Sequence, residues 1–276
     1  MRNNHSLQLI RNGKPALGLW LTSGSYITTR YLAMQGCMDW LMIDGEHTAL
    51  DLSTMSLLAS TIADASQGKC TPFIRVAAGT VDQIKQALDA GAQGVLVPMV
   101  NTAQEARDIV SFSRYPPEGV RGNGGTVPHL SYAMTRGEYT KHANREVAVA
   151  IQVETQEAVN NIDDIVAVKG LDMVFIGPND LHISYGYDPS YWSDAPSFQT
   201  AVQKVLSACK RANMPCGILM GSAAQVKARI AEGFTFVGFG GDTAYLLGAV
   251  GAAFGHATGT PDPAGGWGGY IRKDIV

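Results

Sequence analysis

Residues 148–180 read AVAIQVETQEAVNNIDDIVAVKGLDMVFIGPND. The two ends of this stretch, AVAIQV at 148–153 and DMVFI at 172–176, are short and apolar at nearly every position. That is how a strand reads when both faces of its sheet are covered. Between them, 156–167 (QEAVNNIDDIVA) reads as a helix-like segment. The stretch therefore predicts a β-α-β unit, and each strand runs into polar residues: Gln152-Val153-Glu154 after the first, Gly177-Pro178-Asn179-Asp180 after the second.

Six more apolar runs of the same kind lie outside it, at 16–22, 38–43, 72–76, 94–98, 215–219 and 235–239. Helix-like segments at 80–90, 102–113, 197–212 and 222–232 separate several of them, and Thr80 with Gln83 and Thr102 with Glu105 have capping-box spacing. Strand and helix alternating eight times over predict a closed (β/α)8 TIM barrel, a single domain over residues 1–276. An open doubly wound sheet is the alternative. No G-x-G-x-x-G follows the first strand and no P-loop glycine pattern is present, so the barrel is preferred. Residues 114–146 form a long connection, and a Gly/Pro-rich, irregular tail is expected from about residue 257.

Hydrophobic residues make up 46% of the chain and charged ones 16%, which suffices for a sizeable core and excludes disorder as the main state. A net charge of -3, without any cluster of Lys and Arg, argues against a nucleic-acid partner. The first residues, MRNNHSLQLIRNGK, have no secretion-signal pattern, and no run approaches the ~20 apolar residues that span a bilayer. The expectation is a cytoplasmic protein without a membrane partner. The four cysteines have no C-x-x-C spacing and read as reduced thiols.

In a barrel the reactive groups stand at the carboxyl ends of the strands. Five ends here carry them: Asp44-Gly45-Glu46-His47, Arg75, Gln152 with Glu154, Gly177-Pro178-Asn179-Asp180, and Gly240-Gly241-Asp242. Glu154 and Asp180 come from adjacent strands. Two carboxylates so placed either hold a hard divalent cation or cap the helices that follow them. His47, three residues past Asp44, reads either as a general base oriented by that acid or as a surface histidine. Arg75 inside PFIRVA puts a permanent charge into the barrel, where it needs an anion from the protein or the substrate. No lysine falls at a strand's carboxyl end, so carbanion chemistry would run on a metal and not on a Schiff base.

Over about residues 15–250 the sequence resembles the 4-hydroxy-2-oxoheptanedioate aldolase (HpcH/HpaI) family, to which macrophomate synthase is related. The resemblance is carried by GLW at 18–20, DGEH at 44–47, FIRV at 73–76, LDAGAQGVLVPMVNTAQEA at 88–106, YPPEGVRG at 115–122, QVET at 152–155 and IGPNDL at 176–181. It implies a pyruvate-binding TIM barrel, usually a homohexamer. The implied enzyme is a class II aldolase, a carbon–carbon lyase joining a 2-oxo acid (pyruvate or oxaloacetate) to an aldehyde or other acceptor through a metal-stabilised enolate. Glu154 and Asp180 would bind Mg²⁺, Mn²⁺ or Co²⁺. His47 would be the base with Asp44 assisting, and Arg75 would bind the keto oxygen. Gln152, Gly177, Pro178, Asn179 and Asp180 would line the substrate site. Asp89 would reach a neighbouring subunit's site, and Tyr139 would contact the second substrate. Oxaloacetate decarboxylation, or decarboxylative bond formation like that of macrophomate synthase, is the alternative chemistry; a phosphosugar-binding barrel is a more distant one. The family commonly has GPAD where this chain has Gly177-Pro178-Asn179-Asp180, and GYDPSYWSDAP at 186–196 is particular to this chain or a subgroup.

Overall fold

A computed structural model describes residues 3–132 and 134–259. In chain order the elements are α1 (His5–Arg11), β1 (Ala16–Leu21), α2 (Tyr26–Met34), β2 (Trp40–Asp44), α3 (Leu52–Ala65), β3 (Thr71–Arg75), α4 (Val81–Asp89), β4 (Gly94–Val97), α5 (Ala103–Ser113), α6 (Val127–Ser131) and α7 (Arg136–Glu146). They continue with β5 (Ala148–Val153), α8 (Gln156–Asn160), α9 (Ile162–Val166), β6 (Met173–Ile176), α10 (Pro178–Ser184), α11 (Pro196–Arg211), β7 (Cys216–Met220), α12 (Ala223–Glu232), β8 (Phe236–Gly241) and α13 (Asp242–Thr258). Strands β1 to β8 pair in parallel and in sequence order, and β8 closes on β1. The expected (β/α)8 barrel is what the chain forms. Among the described residues no helix is long and apolar enough to cross a membrane, and all four cysteines are free.

Alternate residues of each strand point inward. Trp20, Trp40, Met42, Phe73, Leu96, Phe175 and Phe236 form the barrel interior, separate from the larger core under the helices. Trp40 stacks on Phe236 with ring centroids 4.3 Å apart and meets Trp20 edge-on at 5.5 Å. So many rings fit because facing positions carry no side chain: a Cβ on Gly18 would lie 1.9 Å from the Trp40 ring, and one on Gly94 2.2 Å from Phe73. This aromatic packing is the floor on which the pocket rests. The opposite end is closed by α1, whose Leu7 and Ile10 join the interior cluster. Buried Asn4 caps α1 by accepting from the Leu7 amide, and its own amide donates to the Gln93 carbonyl at 2.9 Å.

Three local expectations change. The helix expected over 156–167 is two short ones, because Asn161 leaves the α8 geometry and donates its side-chain amide to the Asn101 carbonyl. Thr102 and Glu105 form the full capping box, whereas Thr80 has no capping bond, its hydroxyl being engaged by Asp82. The 114–146 connection carries α6 and α7, the latter opened by a capping box of Thr135 and Glu138. Helix α13 continues to Thr258, and the tail expected from about 257 falls almost entirely on residues 260–276, which lie outside the described residues.

Candidate active site at the carboxyl end of the barrel

A cavity of about 310 Å³ opens at the carboxyl ends of the strands. Its lining includes Asp44, His47, Arg75, Gln152, Asn179 and Asp180, so one mouth gathers most of the candidates. Trp20, Phe175 and Leu219 form its apolar wall.

Arg75 is the best-fixed group. Its Nε and Nη2 donate to the two oxygens of Asp44 at 2.9 and 2.7 Å, and Nη1 lies 3.1 Å from Glu46 Oε2. Burial opposes its charge, and the bond and charges of Asp44, followed by the charges of Glu46 and Glu154, outweigh that and raise its pKa. The anion that a buried arginine requires is therefore supplied by the protein. This fork corrects the expectation for Asp44. Its carboxylate does not orient the His47 imidazole: it holds Arg75, and its Oδ1 also accepts the backbone N–H groups of Glu46 (3.1 Å) and His47 (3.4 Å). The acid near the ring is Glu46, whose Oε2 stands 3.6 Å from His47 Nε2. In the sequence Glu46 stands only as a member of the DGEH turn, with no spacing that assigns it a role. Burial raises its pKa, offset by Arg75 and His47.

Glu154 is buried just behind the cavity wall. Its Oε1 accepts the Met99 amide at 2.7 Å and its Oε2 the Gln152 side-chain amide at 2.7 Å. Met99 holds a left-handed backbone with φ 56°, uncommon for a side chain of this size. Burial, opposed by the Met99 amide and reinforced by the charges of Asp180 and Glu46, lifts the Glu154 pKa to about 7. Gly177 makes the arrangement possible, because a Cβ there would sit 2.1 Å from Glu154 Oε2. Helix capping does not explain Glu154: α8 is capped by Thr155, which accepts from the Ala158 amide at 3.0 Å.

Among the described residues no group of three His, Cys, Asp or Glu side chains is gathered as a ready metal cage. Two carboxylates completed by water and substrate oxygens are a usual complement for Mg²⁺ or Mn²⁺. The residues fit such an ion: the charge of Asp180 adds to the cost of ionising Glu154, and Gln152 Oε1 is a buried acceptor with no protein partner. Trp20 Nε1 is a second buried polar atom lacking a partner at this wall. Helix α10 begins at Gly177 with no side-chain cap, so its first-turn amides face the cavity end without an intramolecular cap.

Two candidates are elsewhere. Tyr139 is buried in α7, where its hydroxyl accepts from Arg121 Nη1 at 3.4 Å and its ring meets Tyr115; it does not line the cavity, which corrects the expectation of a substrate contact. Asp89 pairs with the same Arg121 at 3.2 Å. Asp242 accepts from Thr22, Ser23 and the Thr243 amide, so the turn after β8 presents an engaged acid where a phosphosugar barrel presents open amides.

With this geometry in hand, comparison with known proteins is specific. The HpcH/HpaI aldolase/citrate lyase family model matches residues 16–249. The chain belongs to this family. A hydroxypyruvate/pyruvate aldolase of Agrobacterium fabrum is 39% identical over 233 residues, covering 84% of this chain and 85% of the relative. A 4-hydroxy-2-oxo-heptane-1,7-dioate aldolase of Shigella sonnei is 38% identical, covering 87% and 90%. The crystal structure of an HpcH/HpaI family protein from Burkholderia cenocepacia superposes with a TM-score of 0.86 at 33% identity, covering 93% of this chain and all of that one. Macrophomate synthase shares the fold, with a TM-score of 0.81 at 24% identity over 93% of this chain and 89% of that one. Membership of the HpcH/HpaI family makes the protein an enzyme of the carbon–carbon lyase type.

Proposed function

We propose that the enzyme is a class II pyruvate aldolase that joins or separates pyruvate and an aldehyde. The observation that carries this reading is Glu154, a buried carboxylate with its pKa lifted to about 7 beside Asp180, set next to an arginine already clamped by two acids. Glu154 and Asp180 would hold Mg²⁺ or Mn²⁺, and the bound ion would supply a Lewis acid for the keto oxygen.

The chain's own residues do the rest. Asp44 uses two donors of the Arg75 guanidinium, so the group is fixed in orientation and its outer edge can bind the keto oxygen and steady negative charge as it develops. The first-turn amides at Asn179 and Asp180 hold the substrate carboxylate. His47 Nε2 takes a proton from the pyruvate methyl group, and Glu46 stabilises the charge the ring acquires. The enolate carbon then adds to the aldehyde carbon, the C=O π bond breaks, and the new alkoxide takes the proton back from His47. Gln152 and the wall of Trp20, Phe175 and Leu219 exclude water from the enolate.

Exposed apolar faces on α2 (Tyr31, Met34) and α13 (Leu246, Val250, Phe254) support a homo-oligomer, with Asp89 directed to a neighbouring site. The test is pyruvate release from a 4-hydroxy-2-oxo acid and from oxaloacetate, measured side by side with and without Mg²⁺ or Mn²⁺. Aldol cleavage that needs the metal and is lost in Glu154→Gln is the expected result. Full cleavage without metal, or turnover of oxaloacetate alone, refutes the reading.

A further inference from the structure

The segment between α10 and α11 is held from outside and delivers one side chain inward. On the outer side, buried His182 places Nε2 2.7 Å from Ser193 Oγ and Nδ1 2.7 Å from the Pro178 carbonyl, with its ring stacked 3.7 Å from Phe198. Gln199 donates to the Ser193 carbonyl at 2.6 Å, and the buried Arg229 guanidinium lies 4.3 Å over the Trp192 ring. Ser190 Oγ donates to the Trp192 carbonyl at 2.7 Å. With residues on both sides pinned, Tyr191 lines the cavity. Its ring lies against Gly221, past the end of β7, where an added Cβ would be 3.0 Å from Tyr191 Cδ2. Its hydroxyl is hydrogen-bonded to Asn179, past the end of β6. The ring thus bridges the ends of the neighbouring strands β6 and β7 at the edge of the cavity.

We infer that Tyr191, acting with Asn179, selects the second substrate, and that the pair favours a neutral hydroxyaldehyde over an aldehyde that lacks the hydroxyl or carries a distal carboxylate. The inference rests on the aldolase reading above. A phenol and a carboxamide together offer more donor and acceptor positions than the bond between them uses, so the lip can hydrogen-bond a substrate hydroxyl. Burial raises the Tyr191 pKa, which keeps the phenol a neutral donor. Beyond β7 the lining adds the neutral side chains of Thr243 and Thr22, past the ends of β8 and β1. Among the described lining residues the basic side chains are Arg75 and His47, and the acids include Asp44 and Asp180. Arg75 is already matched by two carboxylates and His47 Nε2 faces Glu46 at 3.6 Å, so a distal carboxylate on the acceptor would meet negative charge with no unmatched basic group to receive it.

The experiment measures aldol addition of pyruvate, with Mg²⁺ or Mn²⁺, to glyceraldehyde, propanal and succinic semialdehyde. The unsubstituted enzyme is expected to prefer glyceraldehyde in kcat/KM by about tenfold or more over each of the others, the order of one hydrogen bond left unmade in a buried site. Tyr191→Phe is expected to remove most of the preference over propanal, the loss falling on KM for glyceraldehyde more than on kcat. Tyr187→Phe removes a hydroxyl from the same segment outside the cavity, where it bonds Ser197, and is expected to keep the preference. An unchanged ratio in Tyr191→Phe, or a preference of the unsubstituted enzyme for propanal or succinic semialdehyde, overturns the inference and leaves the aldolase reading standing. Absence of aldol turnover with all three aldehydes overturns both.

Discussion

Replacing Glu154 by Gln is expected to stabilise the metal-free protein while removing its response to metal. A carboxylate whose folded pKa is raised binds its proton more tightly in the folded chain than in the unfolded one. Its contribution is therefore most favourable below the unfolded value near 4.5 and is lost as pH rises through about 7. The gap of about 2.5 units, at about 1.4 kcal/mol each, makes ionised Glu154 cost roughly 3 kcal/mol at pH 8. Gln removes the charge and keeps the geometry: its oxygen can still accept the Met99 amide, and its NH2 can donate to Gln152 Oε1, which has no other protein partner, once the Gln152 amide turns over. At about 2 °C per kcal/mol for a chain of this size, Tm in EDTA at pH 8 should rise by about 6 °C. Thermal melts of both proteins from pH 5 to 8.5, in EDTA and in MgCl2, read this directly. The difference should shrink toward pH 5, and MgCl2 should raise Tm for the unsubstituted protein alone. A variant no more stable than the parent at pH 8 in EDTA would refute the electrostatic account of the site.

Other substitutions separate the remaining roles. Arg75→Lys keeps the charge but not the fork on Asp44, and kcat/KM for aldol cleavage should fall about 100-fold or more by steady-state assay. Gly177→Ala should push the Glu154 carboxylate aside and weaken Mg²⁺ or Mn²⁺ binding at least about tenfold by calorimetry, the order of a perturbed ligand shell. His47→Gln should abolish exchange of the pyruvate methyl protons with D2O, followed by NMR, while Mg²⁺ binding persists; Glu46→Gln should slow the same exchange by about tenfold, and Asp44→Asn should act instead on Arg75.

What could be read from the sequence divides along physical lines. A strand buried on both faces carries its own signature, so all eight strands were legible, and with them the positions of Arg75, Gln152, Glu154 and Asp180, because chain direction alone puts strand ends at the mouth. What a side chain touches once there is a tertiary fact. Asp44 and Glu46 are two residues apart in one turn, and spacing gives no reason for Asp44 to hold Arg75 while Glu46 faces His47; the choice is made by the Asp44–Arg75 register of β2 and β3. Helix α1 was not read because seven residues of mixed character have little helical signal, and its stability comes from Asn4 and from Leu7 and Ile10 under the barrel. Tyr139 is the converse case: the resemblance to macrophomate synthase implies a second-substrate contact, whereas the connection folds into α7 and turns the ring onto Arg121.

The same division explains where the chemistry and its selectivity reside. The groups proposed to act on pyruvate sit on or directly after strands, where the barrel fixes backbone position and Gly177 leaves the room that Glu154 needs, an added Cβ there lying 2.1 Å from its Oε2. Tyr191 comes from a connection of several residues, so its place depends on Trp192 packed under Arg229 and on the bond between His182 and Ser193. A change in that connection can move the tyrosine without disturbing the Arg75 clamp. His182 links the two levels, since its Nδ1 contacts the Pro178 carbonyl at the start of α10 while its Nε2 holds the connection. Loss of the imidazole in His182→Phe should therefore relax the preference among aldehydes more than it lowers turnover of the preferred one. A drop in kcat shared equally by glyceraldehyde and propanal would show instead that His182 serves α10 and the pyruvate half of the site.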